Sequence, residues 1–455
     1  MKTIKSILVI LLTAGFATAQ TAQETISVFE NESGFGIRAA GMGNAYTGLA
    51  NDYSAIYWNP AGLAQIEFGN ISASLNHNNF ENSIDYLGVN TTDSRTFTKL
   101  QNFGLAYAFP VRRGSFVIGL GYQKVNNLDF FADFSGYATT ENEFGFDGDT
   151  GFEPTFNREI QQDYSLYDEG SIDYWSFAAA IDLSRNFSAG ITLNFIGGDK
   201  NYNLDYLQDD ITDYWDTYPD DFKYLTNSQK IITDYRGFNI KLGGLFHISE
   251  QLQLGTTITF PHSVTVEEEW KDDLYLTYDT NEEYELYSNS GSFDYIVKLP
   301  FQFGAGLAFT NDLFTVSSSI DYRDWSQLKY EVPDNRSIVH DFDYDDLLDQ
   351  NQIIREDFRS VLSYALGAEL NVMNSGLMLR GGYRYLPNPQ KNLGTEFDKK
   401  FYSFGLGYKV DKRTTLDFGF TQGEWKNKYA YVYSSGNSNE SVTSQVFQFG
   451  INYNF

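Results

Sequence analysis

The sequence predicts an all-β protein: a transmembrane antiparallel β-barrel of about 14 strands with an N-terminal segment held inside the lumen. Three observations support this fold class. An export signal begins the chain, apolar residues recur at every second position in many short segments, and short connections alternate with long ones. Beyond the N-terminus no apolar stretch is long enough for a membrane-spanning helix, so any membrane wall must consist of strands.

Composition narrows the classes of protein further. The 455 residues include 60 acidic and 32 basic ones, a formal net charge of -28, and the mean hydropathy is -0.37. A phosphate backbone attracts positive charge, so nucleic acid is not an expected partner. The chain has no cysteine, which excludes disulfides, a thiolate nucleophile and a cysteine-based zinc site. Aromatic residues make up 17% of the chain. Two classes of protein remain compatible with this composition, a secreted β-protein and an outer-membrane barrel.

Residues 1–19 have the pattern of a cleaved signal peptide. Lys2 and Lys5 form a positive start, residues 7–12 are an unbroken aliphatic run, and Ala17 and Ala19 provide the small residues that a signal peptidase requires. The apolar run is too short to anchor the chain in a membrane. We therefore expect cleavage after Ala19 and export across the inner membrane.

From residue 68 to residue 455, period-two segments predict the strands of the barrel. At the C-terminus large apolar residues alternate with small or polar ones, which places the two kinds of side chain on opposite faces of a strand. The apolar row is Phe447, Phe449, Ile451, Tyr453 and Phe455. About fourteen such segments occur, an even number as bacterial barrels require.

The connections between these segments favour a barrel over a soluble sandwich. Short links such as residues 110–113 and 249–250 alternate with long ones, as expected for tight periplasmic turns and long extracellular loops. The predicted long links cover residues 78–100, 126–170, 201–229, 269–292, 331–353, 388–397 and 424–440. Acidic residues concentrate in them, and charges avoid lipid, so these loops are expected in water. Calcium binding by the acidic loops is an alternative to simple solvation.

Residues 20–67 do not follow the strand pattern. Glycine and alanine are too frequent there for a regular element, which suits a segment that packs closely against other backbone. We expect this segment to form a hatch, or plug, inside the barrel lumen.

The hatch segment resembles that of the FadL/TodX family of outer-membrane transporters. The similar stretch runs from Gly34-Phe35-Gly36 to Ala45-Tyr46 and continues through Trp58-Asn59-Pro60-Ala61, which contains the family's best-known tripeptide. Downstream, Lys298-Leu299-Pro300, Asp324-Trp325 and Arg380-Gly381-Gly382 are also similar to the family. The terminal Phe455 matches its outer-membrane insertion signal, which the barrel-assembly machinery reads.

The resemblance implies a plugged barrel of fourteen strands in the bacterial outer membrane, surrounded by lipid. It carries fatty acids or other hydrophobic small molecules inward. The ligand lands between extracellular loops, moves to a pocket beside the hatch and leaves sideways where an early strand is kinked. The resemblance puts that kink near Gly119 and Gly121. In the hatch, Asn59, Pro60 and Ala61 would hold the plug against the wall, whereas without the resemblance they would be an ordinary Asn-Pro turn.

The long link after the fifth strand is the strongest local candidate for ligand capture. Its apolar residues have the spacing of an amphipathic helix, with aspartates between them. These residues are Leu204, Leu207, Ile211, Tyr214, Trp215 and Tyr218, and Phe130 and Phe131 in the preceding loop could cover the same groove. Packing of such a helix on a neighbouring loop or on the barrel rim is an equal alternative.

The sequence gives little support for chemistry. No nucleophile motif or phosphate loop is evident, and the four histidines share no metal-ligand spacing, so we expect no enzyme activity, no cofactor and no bound metal. No cation stands out as the partner of a fatty-acid carboxylate, so a neutral apolar substrate is at least as compatible. A barrel of this kind could instead act as a partner in protein secretion or surface attachment. No interface is legible in the sequence, and the barrel could work as a monomer.

Overall fold

The computed structural model describes residues 22–30, 34–139, 158–216, 221–333, 344–373, 375–429 and 438–455. The predicted signal peptide lies outside this part of the chain and stays a prediction. Four α-helices are found in the described residues: α1 Ala22–Phe29, α2 Ile37–Gly41, α3 Ala55–Trp58 and α4 Tyr344–Asp357. Three short 3₁₀ helices cover Pro60–Gln65, Trp325–Gln327 and Thr395–Phe397.

All strands belong to one antiparallel sheet, which closes because the first strand pairs with the last. The first nine are β1 Gly69–Tyr86, β2 Val89–Ala108, β3 Phe116–Asn127, β4 Phe130–Ala138, β5 Ile160–Ser184, β6 Phe187–Asp209, β7 Phe222–His247, β8 Leu252–Thr259 and β9 His262–Tyr278. The others are β10 Glu283–Leu299, β11 Gln302–Thr310, β12 Phe314–Asp324, β13 Lys329–Glu331, β14 Ser360–Val372, β15 Leu377–Leu386, β16 Lys399–Lys409, β17 Thr414–Tyr429 and β18 Ser438–Asn454.

Four wall strands are each interrupted once, and the two halves of each carry separate labels. They are β3 with β4, β8 with β9, β10 with β11, and β12 with β13. Counted as continuous wall strands, the eighteen segments form a closed barrel of fourteen strands. The predicted fold class and strand number are therefore confirmed.

The side chains of the wall are arranged as a lipid environment requires. Phe449 is 52% exposed on the outer face of β18, whereas its neighbour Gln448 is 2% exposed and faces the lumen. Phe404 and Leu366 are likewise exposed on the outside of β16 and β14. Apolar side chains are thus exposed on the outside of the barrel, and polar ones are buried inside. A soluble β-sandwich has the reverse arrangement. The difference arises because the outer face of the barrel contacts lipid hydrocarbon instead of water.

Several strands continue far beyond the length that a bilayer requires. β5, β6 and β7 have 25, 23 and 26 residues, whereas about 9–11 residues suffice to cross the membrane. The prediction of long loops is therefore wrong over residues 78–100 and 269–292, and over residues 201–229 strands cover all but residues 210–221. β1 and β2 meet at a turn after Tyr86, and β6 continues to Asp209. Above the bilayer the outer face meets water, so the apolar alternation ends although the strand pairing continues.

The predicted helix over residues 204–218 is also wrong. Leu204 and Leu207 both lie in β6, where they point to opposite faces: Leu204 is 1% exposed in the interior, and Leu207 lies on the outer face beside exposed neighbours. The aspartates between the apolar residues are compatible with a strand because that face is in water. Spacings of three and four residues in a short segment did not distinguish a helix from this strand.

The barrel wall is tall on one side and low on the other. β14, β15 and β16 have 13, 10 and 11 residues, about half the length of β5 to β7. The inner face of the tall side carries an apolar group that we call the extracellular cluster. It contains Ile84, Tyr86, Ala132, Phe134, Ala138, Ile160, Tyr164, Leu166, Leu204, Tyr206, Phe222, Leu225, Leu274 and Leu276.

Candidate functional site

The lower lumen is filled by residues 34–66, which we call the hatch. Phe35, Tyr46 and Ile56 are completely buried, and Trp58 donates a hydrogen bond from Nε1 to the carbonyl oxygen of Phe35 at 2.6 Å. The 3₁₀ helix Pro60–Gln65 packs against β5, β6 and β7. The hatch thus forms one packed core with the wall.

Asn59 joins the hatch to the wall. Its Oδ1 accepts a bond from the Ala61 amide at 3.2 Å, and its Nδ2 donates to the carbonyl oxygens of Thr47 and Gly244 at 2.9 and 3.1 Å. A side chain at Gly243 would not fit, because its Cβ would lie 2.1 Å from the Asn59 Oδ1. Asn59 therefore ties two parts of the hatch to β7.

A buried network of charges forms a second attachment of the hatch. Arg38 donates two hydrogen bonds to Glu369 on β14, at 2.9 and 2.7 Å. Arg380 on β15 donates to the same carboxylate at 2.7 Å and to Asp417 on β17 at 2.6 Å, and Asn452 also donates to Asp417. Two arginines and two carboxylates thus balance each other between hatch and wall. These roles were not predicted from the sequence, although a charged residue at an inward position of a membrane strand is a signal of function.

Two of the cavities above the hatch lie one above the other. The upper one, which we call the vestibule, has a volume of about 630 Å³. It lies between α1, the start of β4, α4 and the segment 387–393 above the low side of the wall. Phe80, Phe130 and Trp425 supply aromatic surface, and the centroids of the Phe80 and Phe130 rings are 5.9 Å apart.

The lower cavity, which we call the inner pocket, has a volume of about 110 Å³ and lies between α1 and the hatch. Its apolar walls include Phe29, Trp58 and Trp325. Both cavities share a boundary at which the same residues line each of them. These are Val28, Glu30, Asn126, Leu386 and Pro387. The vestibule and the inner pocket are therefore neighbours in series, and the C-terminal end of α1 separates them.

Three side chains hold the end of α1 in this place. Asn126 donates two hydrogen bonds from Nδ2, to the carbonyl oxygens of Ser27 and Val28, both at 2.9 Å. Glu30 forms an ion pair with Lys399 at 2.6 Å, and Arg323 donates to the Phe29 carbonyl at 3.2 Å. The boundary between the cavities thus depends on side-chain contacts and not on a strand ladder.

The inner pocket carries basic groups in its wall. Lys241, Thr259, Gln302 and Arg323 are partners in successive strands, which places them in one row across β7, β8, β11 and β12. Lys241 donates to the carbonyl oxygen of Tyr57 at 2.7 Å, and Arg323 donates to Gln302 Oε1 at 2.6 Å. Sequence reasoning missed both, although each is a cation next to an exposed apolar residue of its strand, Leu242 or Tyr322.

The wall is open along one seam. β2 pairs with β3 only from Asn102 to Ala108, and beyond Gln123 the third wall strand leaves β2, is irregular at residues 124–126 and continues inward as β4. β4 pairs with β5 alone. The upper edge of β2 therefore has no ladder on this side.

Side chains bridge the seam in place of backbone bonds. Lys99 on β2 lies 2.5 Å from Asp129, and Arg95 lies 2.8 Å from Asp133. Gln101 donates from Nε2 to the carbonyl oxygen of Lys124 at 2.8 Å. These contacts can break without loss of sheet pairing, so the seam can open while the ladders on both sides of it stay intact.

The predicted kink residues lie below the seam and not at it. Gly119 and Gly121 are in the regular part of β3, where they pair with Ala106 and Gly104 of β2. A Cβ at Gly121 would lie 1.8 Å from the hydroxyl oxygen of Tyr53. In the structure Gly121 makes room for the hatch, and the irregularity comes after it, at residues 124–126.

The predicted capture residues do not come together at either cavity, with one exception. Phe130 lines the vestibule, and Phe131 is buried behind it against Phe80 at 5.5 Å between ring centroids. Leu204 belongs to the extracellular cluster, and Trp215 packs against it. Leu207, Ile211 and Tyr214 line neither cavity, and Tyr218 lies outside the described residues.

Asp210 explains the local structure of this segment. It is 8% exposed and accepts bonds from the amides of Tyr214 and Trp215 at 2.9 and 2.6 Å, which stabilises a turn after β6. Trp215 Nε1 donates to the carbonyl oxygen of Arg158 at 3.0 Å. The segment is therefore held at the top of the tall wall.

No helix in the described part of the chain combines the length and apolar character needed to cross a bilayer. Across the same ranges, no three His, Asp or Glu side chains are grouped in a way that could hold a metal ion.

Solved structures with the same fold are known. The P. putida toluene transporter TodX has a TM-score of 0.58 at 15% identity, covering 93% of this chain and 99% of its own. A Pseudomonas aeruginosa FadL homologue has a TM-score of 0.57 at 15% identity, covering 93% and 98%. The Ralstonia pickettii toluene transporter TbuX has a TM-score of 0.55 at 15% identity, covering 94% and 100%. These similarities show the fold.

Sequence comparison shows the family. No curated protein matches the chain. The family model described as outer membrane protein transport protein (OMPP1/FadL/TodX) matches residues 174–455, which is more than half of the chain. The resemblance seen in the hatch motif is confirmed over the barrel, as are the outer-membrane location and a role in transport and not in catalysis. The chain belongs to the OMPP1/FadL/TodX family of outer-membrane transport proteins.

Proposed function

We propose that the protein takes up hydrophobic compounds passively from outside the cell. The observation that carries this proposal is the series of two partly apolar cavities above a tightly packed hatch. Binding in such a path removes apolar surface of the ligand from water. This lowers the free energy by about 25 cal/mol for each Å² of apolar surface buried. A hydrophobic molecule therefore needs a graded apolar route and no energy source.

The ligand reaches the vestibule over the low side of the wall and binds first beside Phe80, Phe130 and Trp425. It then passes the end of α1 into the inner pocket. Below that pocket the hatch is attached by Asn59 and by the Arg38 network, which favours a sideways exit over a path straight down. The seam between β2 and β4 is the proposed exit, because only side-chain contacts close it.

The absence of cysteine makes the exit testable by cross-linking. In a Lys99→Cys/Asp129→Cys variant, a short bismaleimide would hold the seam closed. We expect uptake of radiolabelled toluene or oleate by cells to fall at least about tenfold after cross-linking. The matched control is Glu424→Cys/Thr443→Cys, which links the paired strands β17 and β18 and should leave uptake unchanged.

Two results would contradict the proposal. Equal uptake by cells with and without the protein would refute transport of hydrophobic compounds. Normal uptake through the cross-linked seam would refute the lateral exit and leave a path through the hatch.

A further inference from the structure

The wall of the vestibule contains two aspartates with unused hydrogen-bonding capacity. Asp129 and Asp168 both line this cavity, and they are only 5% and 6% exposed. In each carboxylate one oxygen is buried without a hydrogen-bond partner in the described part of the chain, Oδ2 of Asp129 and Oδ1 of Asp168. A buried acceptor without a donor costs free energy, and the cost is higher when the acceptor is charged.

The second oxygen of each carboxylate is occupied. Oδ1 of Asp129 accepts hydrogen bonds from Lys99 Nζ at 2.5 Å and from the Gly170 amide at 3.1 Å. Oδ2 of Asp168 lies 3.1 Å from Lys200 Nζ. These two lysines are therefore already paired, whereas each aspartate keeps one free acceptor. A ligand that brings a hydrogen-bond donor would complete the carboxylates.

Asp168 lies beside the aromatic surface of the vestibule. It is the cross-strand partner of Phe130 in the β4–β5 ladder, which places both side chains on the same face of the sheet. Both residues line the vestibule, and Asp129 directly precedes Phe130 in the chain. A ligand whose apolar body contacts the Phe130 ring therefore has its polar end close to the two carboxylates.

The size of the vestibule does not select among small hydrophobic compounds. Its volume is about 630 Å³, and a protein cavity of about 150 Å³ is known to hold benzene. A single ring with an alkyl substituent fits with room to spare, whether or not it carries a polar group. Selection in the vestibule therefore depends on the polar groups in its wall.

We propose that Asp129 and Asp168 make the vestibule selective for hydrophobic compounds that carry a hydrogen-bond donor, such as alkylphenols. This inference rests on the proposed uptake of hydrophobic compounds and names the substrate class. The ligand hydroxyl donates to a free carboxylate oxygen, a charge-assisted bond that is stronger than one between neutral groups. A hydrocarbon leaves both oxygens without a donor, and a carboxylate ligand adds a negative charge beside them.

The test compares ligands that differ in the donor alone. Binding of 4-ethylphenol, its methyl ether 4-ethylanisole and 4-ethylbenzoate to the purified protein in detergent is measured by isothermal titration calorimetry. The ether has more apolar surface, so burial alone would make it the tighter ligand. We expect the phenol to bind at least about tenfold more tightly than the ether, which corresponds to about 1.4 kcal/mol. The benzoate should bind more weakly than the phenol.

Substitutions assign the effect to the two aspartates. Asparagine keeps the shape, and its amide oxygen can still accept the lysine bond while its NH₂ group replaces the free acceptor. In Asp129→Asn/Asp168→Asn the preference for the phenol over the ether should fall below about twofold. Asp357→Asn is the matched control, because Asp357 also lines the vestibule but is exposed to water. Migration on semi-native gels shows whether each variant is folded.

The outcomes separate the two proposals. If the wild type binds the ether or the benzoate as tightly as the phenol, the selection of donors is refuted, and this comparison needs no variant to fold. A folded double variant that keeps the phenol preference would refute the assignment to the two aspartates. If cells take up toluene through the protein but not 4-ethylphenol, the inference fails and the proposed function stands. If no hydrophobic compound is taken up, the proposed function itself fails.

Discussion

The lower and the upper lumen are built on opposite plans. In the lower lumen the hatch contacts the wall so closely that Gly243 has no room for a side chain, and the charges of Arg38 and Arg380 are matched by Glu369 and Asp417. The upper lumen contains the vestibule and the inner pocket, and the inner pocket is lined by Lys241 and Arg323.

The difference shows where each part of the transport problem is solved. Dense packing and balanced charge make a seal, since any opening would leave buried groups unsatisfied. The vestibule and the inner pocket instead leave space that a ligand could fill. One barrel thus combines a densely packed lower lumen with an open upper one, and each half can be tested by its own substitutions.

The largest effect is expected in the lower lumen, from Glu369→Ala. The change leaves Arg38 and Arg380 buried without their shared carboxylate, which costs about 3–5 kcal/mol. We expect the folded band on semi-native gels to disappear at a clearly lower temperature, and the outer membrane to leak small polar dyes. Arg236→Ala removes an exposed ion pair with Glu267 and should change the gel midpoint very little. An unaltered midpoint and no leak in Glu369→Ala would show that the network does not secure the hatch.

A second effect is expected in the extracellular part of β9. Burial raises the pKa of Asp272 to about 6, although Asn227 and Gln229 donate hydrogen bonds to it. In the unfolded chain the pKa of an aspartate is about 3.9. Between pH values of about 4 and 6 the folded state therefore binds more protons than the unfolded state, so the stability of the fold falls as the pH rises through this range. The loss is at most about 3 kcal/mol.

Hydrogen exchange of the β9–β10 hairpin measures this effect. After correction for intrinsic rates, the wild type should be less protected at pH 7 than at pH 4.5, and Asp272→Asn should abolish the difference. The neighbouring Asp273 is the control, because its bond with Lys271 lowers its pKa. Asp273→Asn should therefore leave the loss of protection between pH 4.5 and pH 7 in place. Equal protection of the wild type at both pH values would contradict the prediction.

The smallest effect is expected at the boundary between the cavities, from Glu30→Gln. Losing the ion pair with Lys399 should weaken the docking of α1 by about 1 kcal/mol and speed access to the inner pocket roughly fivefold. Stopped-flow tryptophan fluorescence with toluene measures the binding rate. Ser27→Ala changes the exposed face of the same helix and serves as the control. An unchanged rate in Glu30→Gln would mean that α1 does not limit access.

Sequence reasoning predicted the barrel because the lipid imposes a simple period. In β18, Phe449 and Ile451 had to face outward and Gln448 inward, and the structure agrees. The period could not mark the upper ends of β1, β2 and β6, because both faces there lack contact with lipid. The spacing of Leu204, Leu207 and Ile211 was therefore misread as a helix.

The candidate site was harder to predict because it is made by distant parts of the chain. Asn59 was found through a local motif, but its partner Gly244 lies 185 residues away. Lys241 and Arg323 come into one row only through the register of four strands. Among the predicted capture residues that the structure describes, Phe130 alone lines the vestibule or the inner pocket, because the inward course of β4 places it there.

The unequal height of the wall gives the molecule a front and a back. Because β5 to β7 are long and β14 to β16 are short, the vestibule is most accessible over the short side of the wall. In a crowded membrane, a protein next to the short side would obstruct this access, whereas a protein next to the tall side would not. The orientation of the barrel about the membrane normal, relative to its neighbours, should therefore affect the rate of uptake, as do ligand concentration and affinity.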